Sequence, residues 1–144
     1  MNAAQLPRHI VNQLLEQTLN AGNAEICGLI ASRNGIPSTC YPVANVAANT
    51  DSQFQLEPKQ QINAMRTMRE TGQTLFAIYH SHPKTPATPS KQDIEQANYP
   101  DTLYLIISMA TTGSVQLRGF RIENKIAHAI DVTITEDQDI DALR

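Results

Sequence analysis

The sequence predicts an α/β fold, a mixed β-sheet flanked by a few helices. Three observations lead there. Two continuous apolar, β-rich runs, Thr74–His80 and Thr102–Met109, have the character of strands buried on both faces. Two other segments, around residues 6–21 and 57–70, carry apolar side chains at helical spacing. Arg33-Asn34-Gly35 separates two further apolar runs, and Asn-Gly in that setting is a strong hairpin signal. With 144 residues and 41% hydrophobic content, the chain is sized for one domain around one core. That domain is placed at residues 1–135, with 136–144 as a C-terminal tail.

Taken in order, the first helix turns Leu6, Ile10, Leu14, Leu15 and Leu19 to one side, and Gly22-Asn23 ends it. Ala24–Ser32 reads as a largely buried strand and Ile36–Val46 as its return. Pro37 and Pro42 mark that return as an edge or a bulge. Phe54–Leu56 is expected as a short strand. Glu57-Pro58 then opens a helix that reaches about Glu70, with Ile62, Met65 and Met68 or Arg69 inward, until Thr71-Gly72 stops it. Thr74–His80 is expected at the centre of the sheet. A short helix follows from about Ser90 to Ala97, then Thr102–Met109. Val115–Ile122 and Lys125–Thr135 close the sheet as an antiparallel pair turning at Glu123-Asn124.

Composition removes several function classes. A net charge of −3, from 11 basic and 14 acidic side chains, gives no electrostatic footprint for nucleic acid or an anionic membrane. No apolar run approaches the roughly 20 residues that span a bilayer, and the opening MNAAQLPRHIVNQLLEQ lacks the apolar core of a secretory signal. A cytoplasmic protein is expected, with Cys27 and Cys40 as reduced thiols. Two cysteines are too few for a four-thiolate zinc site.

The chemistry concentrates in YHSHPKTPATPSKQD, Tyr79 to Asp93. His80 and His82 end a predicted strand, and side chains two apart on a strand share a face, so both imidazoles can converge while Ser81 points away. Neutral imidazoles suit zinc at about 2.0–2.1 Å, and a carboxylate completes a three-ligand set that leaves the fourth position to water. Asp93 supplies it: with Thr88 or Ser90 as N-cap, it falls in the first helical turn and swings back towards the strand end. Pro83, Pro86 and Pro89 restrict the intervening loop and lower the entropy cost of holding the ligands together. Glu95 is a second-choice ligand. Taken singly, these features have ordinary readings: strand-end histidines at a surface, a Ser90-x-x-Asp93 capping box, a proline turn. They gain meaning by falling at one strand-to-helix junction, where α/β sites commonly lie.

His80-x-His82-Pro83, six residues, then Ser90-x-x-Asp93 resembles the motif of the JAMM (MPN-plus, Mov34/PAD-1-like) zinc metalloproteases, and Glu25 in AEICGLI matches that family's upstream glutamate. The resemblance implies the JAMM/MPN, cytidine-deaminase-like fold and a Zn2+ cofactor held by His80, His82 and Asp93. It gives Glu25 the role of general base and then acid, and Ser90 that of oxyanion donor beside its N-cap reading. Similarity to compact, stand-alone bacterial members implies a peptidase or isopeptidase. Its partner would be a small ubiquitin-fold, sulfur-carrier-type protein, cut after the C-terminal Gly-Gly. Two other classes stand beside it: a non-catalytic MPN-type scaffold, and a zinc amidohydrolase acting on small molecules. A deaminase would need H-x-E with P-C-x-x-C, and the sequence has neither. Cys27 is read as a buried packing residue, His9 and His128 as surface or helix residues, and Lys84 and Lys91 as solvated.

Overall fold

The computed structural model describes residues 3–110 and 114–136. Seven strands form one sheet in the order β1-β7-β6-β5-β4-β2-β3, where β1 is Ala3–Pro7, β2 Cys27–Arg33, β3 Ile36–Val43, β4 Thr74–His82, β5 Leu103–Ser108, β6 Gln116–Glu123 and β7 Ile126–Thr135. β4 pairs with β5 and β1 with β7 in parallel, and the other neighbours are antiparallel. Among the described residues three helices cover the sheet: α1 (Arg8–Ala21), α2 (Pro58–Glu70) and α3 (Lys91–Gln96). Among the described residues no helix is long and apolar enough to cross a membrane.

Strand alternation divides the core in two. Ile30, Ala77, Tyr79, Leu103, Leu105 and Ile107 face α1, against Ile10, Val11 and Leu14. Their neighbours Leu29, Ala31, Ile78, Tyr104 and Ile106 face the other way, onto Ala64 and Met68 of α2. Each of these larger side chains contributes about 1.5–3 kcal/mol on full burial. The period of two also places His80 and His82 on the α2/α3 side, in line with Ile78.

Local signals fixed most boundaries. Asn34 (φ 53°) and Gly35 (φ 80°) form a two-residue loop between paired Arg33 and Ile36. β3 is indeed an edge strand, with a register shift at Ala31/Ser32 beside Pro37. Glu57 caps α2 by accepting from the Gln60 N–H at 2.7 Å, with Pro58 in the first turn.

Five expectations are corrected. Leu6 is buried in β1, since Pro7 with extended ψ delays the helix to Arg8 and the segment pairs with distant β7. Leu19, at 65% exposure, is not a core residue. The buried stripe of α2 runs through Ala64 and Met68, leaving Ile62 and Arg69 exposed. β2 begins at Cys27 rather than Ala24, and of Phe54–Leu56 only Leu56 forms a β-bridge, to Asn45. The tail expected at 136–144 lies, beyond Glu136, outside the described residues. Glu136 itself accepts a 2.9 Å bond from Arg8.

Gly28 pairs with Tyr79 across β2 and β4, and the phenol lies over it. There the Tyr79 hydroxyl donates to Gln17 at 2.6 Å and accepts from Cys40 Sγ at 3.4 Å. A Cβ on Gly28 would collide with that ring and lie 2.6 Å from the Tyr41 carbonyl. Gly28→Ala is expected to cost about 1–3 kcal/mol by overpacking, read as a lower urea midpoint at unchanged slope. An unchanged midpoint would show that the phenol moves aside freely.

Candidate metal centre and hydrolytic site

β4 continues two residues past the expected strand end because its pairing with β5 persists through His80↔Ile106 and His82↔Ser108. Both histidines are buried. Their Nε2 atoms are 3.1 Å apart, and Asp93 Oδ2 lies 3.1 Å from each. Asp93 comes from the first turn of α3, where Ser90 and Asp93 form a reciprocal capping box. The Asp93 N–H donates to Ser90 Oγ at 3.0 Å and the Ser90 N–H to Asp93 Oδ2 at 2.9 Å. The capping carboxylate is therefore also the one that meets the histidines, so the two readings of Ser90-x-x-Asp93 are one structure.

The proline loop adds a contact that the sequence did not announce. His82 Nδ1 donates to the Pro86 carbonyl at 2.8 Å. This fixes the proton on Nδ1, so Nε2 faces Asp93 as a lone pair in the neutral ring and as a second N–H in the charged one. Phe54 lies flat on His80, with centroids 4.2 Å apart and planes 16° from parallel. Burial drives His80 towards its neutral form against the pull of Asp93. Burial acts the same way on His82, but Asp93 and the Pro86 carbonyl outweigh it and raise its pKa. Burial also opposes ionisation of Asp93, yet the two histidines hold its carboxyl well below the usual carboxylate range.

These donors fit a metal ion. Three atoms 2.0–2.1 Å from a tetrahedral centre lie about 3.3–3.4 Å apart, close to the 3.1 Å triangle seen here. Without a proton between them, the Nε2 atoms and the carboxylate oxygen would turn lone pairs towards each other, and the bonds they make here share a proton. A cation at the shared point would take the place of that proton.

Glu25 faces the same point. The β2–β4 register, Cys27↔His80 and Gly28↔Tyr79, carried two residues further brings Glu25 opposite His82 and onto its face. Its carboxylate, His80 and His82 present ligand atoms within 4.8 Å of one another. The His80–His82–Asp93 triangle is the tighter of the two overlapping sets. Glu25 is buried, its Oε1 has no hydrogen-bond partner, and burial, against the pull of His82, pushes its pKa up to about 7. Ser81 turns away from the imidazoles, as strand geometry requires, and clamps the neighbouring residue. Its Oγ accepts from the Ile26 N–H at 2.8 Å and its own N–H donates to the Ile26 carbonyl at 3.1 Å.

The other candidate residues stay apart. Glu95 is exposed and lines a neighbouring cleft of about 540 Å³ with Phe54, Gln55, Gln61 and Tyr99, so it is not brought to the triangle. Its side of the helix diverges from that of Asp93. Cys27 donates to the Val43 carbonyl at 3.4 Å, and burial pushes its thiol up to about 12, which suits packing and not nucleophilic attack. Cys27 and Cys40 are both free. His9 on α1 and His128, exposed on β7, do not join the cluster, and Lys84 and Lys91 are exposed. Phe54, Asn45 and the Pro86 carbonyl escape a reading of the sequence. An aromatic residue, an amide and a main-chain oxygen in loops carry no spacing signal.

A family model described as prokaryotic homologs of the JAB domain matches residues 7–121. Among curated proteins, a desampylase of Haloferax volcanii is 31% identical over 108 residues, covering 74% of this chain and 78% of that protein. A CysO-cysteine peptidase of Mycobacterium tuberculosis is 28% identical over 130 residues, covering 89% and 84%. Among solved structures, a protein from Desulfitobacterium hafniense superposes with a TM-score of 0.83 at 29% identity, over 92% of this chain and 93% of that one.

The triangle predicts one divalent ion per chain. Cobalt(II) titration, followed by visible absorption, is expected to saturate at one equivalent. Loss of a supporting contact typically costs 10–100-fold in metal affinity, so Asp93→Ala, which removes a direct donor, is expected to cost more than about 100-fold. Unchanged affinity in Asp93→Ala would remove the carboxylate from the ligand set.

Proposed function

Because this chain belongs to the prokaryotic homologs of the JAB domain, the JAMM/MPN class that its histidine motif resembles, we propose that it is a zinc-dependent peptidase or isopeptidase. Its substrate is a small ubiquitin-like, sulfur-carrier-type protein, cut at the amide bond after the C-terminal Gly-Gly. The names of its relatives, a desampylase and a CysO-cysteine peptidase, support that substrate class. The two free cysteines accord with a reaction in the cytoplasm. One observation carries the proposal: the donor atoms of His80, His82 and Asp93 converge in a triangle that faces a buried carboxylate with an unpartnered oxygen.

Zinc held by those three residues would polarise the scissile carbonyl and bring the pKa of a water towards 7. The remaining work belongs to the chain. Glu25, its pKa raised to about 7 by burial, is poised to give and take a proton near neutral pH. It takes the proton from water as oxygen joins the acyl carbon, and returns it to the amine as the C–N bond breaks. Ser90 Oγ accepts from the Asp93 N–H, and its own hydroxyl hydrogen remains to donate to the carbonyl oxygen as charge gathers there. The 540 Å³ cleft shares Phe54, Gln96 and Tyr104 with the smaller pocket lined by His80 and Asp93, and an extended tail lying in it would approach the site from that side.

Purified protein mixed with ubiquitin-fold carriers bearing C-terminal extensions is expected to release the extension after Gly-Gly, weighed by mass spectrometry. Glu25→Gln should retain the metal and lose about 10²–10⁴-fold in rate. Turnover of small amides with every carrier left intact would favour an amidohydrolase instead.

Ser90→Gly separates the two roles of that serine. A glycine N-cap costs only a few tenths of a kcal/mol against serine, while losing an oxyanion donor costs about 10²–10³ in kcat. A kcat that stays within the range of the parent would leave Ser90 as a cap alone.

A further inference from the structure

We infer that the side-chain amide of Asn45 is a positioning residue for Glu25. The inference rests on Glu25 being the proton carrier proposed above. Glu25 precedes the first paired residue of β2, Cys27, so β4 reaches its neighbourhood only through the Ser81 clamp on Ile26 and leaves the N–H and C=O of Glu25 without a strand partner. The segment between β3 and α2 supplies the missing partners. The Glu25 N–H donates to the Thr50 carbonyl at 2.8 Å, and its carbonyl accepts from Asn45 Nδ2 at 3.0 Å.

That one amide also organises the segment it belongs to. Asn45 Nδ2 donates to the Gln53 carbonyl at 2.9 Å, and Asn45 Oδ1 accepts from the N–H groups of Ala47 and Gln55, each at 3.0 Å. Both donors and both acceptor sites of the amide are filled. Its Oδ1 thus shapes the segment, while its Nδ2 fastens the shaped segment to the peptide of Glu25. Gln53 adjoins Phe54, the residue stacked on His80. The same segment therefore touches the backbone of the proton carrier and the ring of a metal-binding histidine. Reacting groups tolerate little displacement, about 10²-fold in rate for 1 Å, and a tilt of the Glu25 peptide is carried straight to its carboxylate.

Two variants divide the amide. Asn45→Asp keeps acceptor oxygens for Ala47 and Gln55 and loses both donors, and Asn45→Ala loses everything. In steady-state cleavage of a Gly-Gly-extended carrier, both are expected to lower kcat about 10–100-fold with KM near the parent value. Cobalt(II) affinity should stay at the parental value in both. In a Glu25→Gln background, neither change should lower the residual rate further, because two residues acting through one group are not additive. Parental kcat in Asn45→Asp overturns the inference. So does a full additional loss in the Glu25→Gln background, a parallel loss of metal affinity, or failure of both variants to fold. The last three assign the amide to the fold or to His80. Parental cleavage by Glu25→Gln alone overturns the reading of Glu25 and this inference with it, whereas the other outcomes overturn this inference only.

Discussion

Three atoms that carry lone pairs, two imidazole nitrogens and a carboxylate oxygen, are held 3.1 Å from one another in a buried place. Only a shared proton or cation keeps such atoms together, so each is also fixed from behind. His80 and His82 are fixed by ladder pairs to Ile106 and Ser108, and His82 further by the Pro86 carbonyl. Asp93 is fixed by the N–H of Ser90 and by the helical turn that Ser90 caps. Ser108 closes the arrangement: it donates to the Thr85 carbonyl and accepts from the Ala110 N–H, so the proline loop is tied to the end of β5. The stable parts of the fold hold these atoms where a shared proton or cation completes the arrangement.

Glu25 is held by a different logic. Burying a carboxylate without a partner costs several kcal/mol in the charged form, and the raised pKa of about 7 is how that cost shows. Around it, the N–H and C=O groups of Glu25 and Ile26 are satisfied through Thr50, Asn45 and Ser81. The unpartnered Oε1 of Glu25 and Nδ1 of His80 are the buried side-chain polar atoms that stay unsatisfied among the described residues. Both lie in the site, as expected where local rules yield to function.

How much of this can be read from the chain alone follows from which determinants are local. Asn34-Gly35, Glu57-Pro58 and Ser90-x-x-Asp93 announce a turn and two helix starts because the relevant hydrogen bonds close within a few residues. His80-x-His82 announces a shared face because strand geometry repeats every two residues. The pairing of β1 with β7 spans most of the chain, so the segment around Leu6 reads as more of the helix that follows it. The inward stripe of α2 does not pass through Ile62, since periodicity gives the existence of a face and packing gives its rotation. Phe54 and Asn45 act through contacts that neither periodicity nor spacing encodes, and only the folded chain shows them.

The register between β2 and β4 links these parts. In an antiparallel pair, a slip of one residue turns every side chain to the opposite face. Such a slip here would send Glu25 away from His82. Hydrophobicity alone specifies the register weakly, because both faces of these strands are apolar and either would find a core. Gly28 breaks that degeneracy. It stands opposite Tyr79, and the space above it admits the phenol, which finds Gln17 and Cys40 there. Shifted by one position, Tyr79 would meet Cys27 or Leu29, whose side chains fill that space. A glycine with no part in the chemistry thus decides which residue faces His82, and that residue is the buried carboxylate.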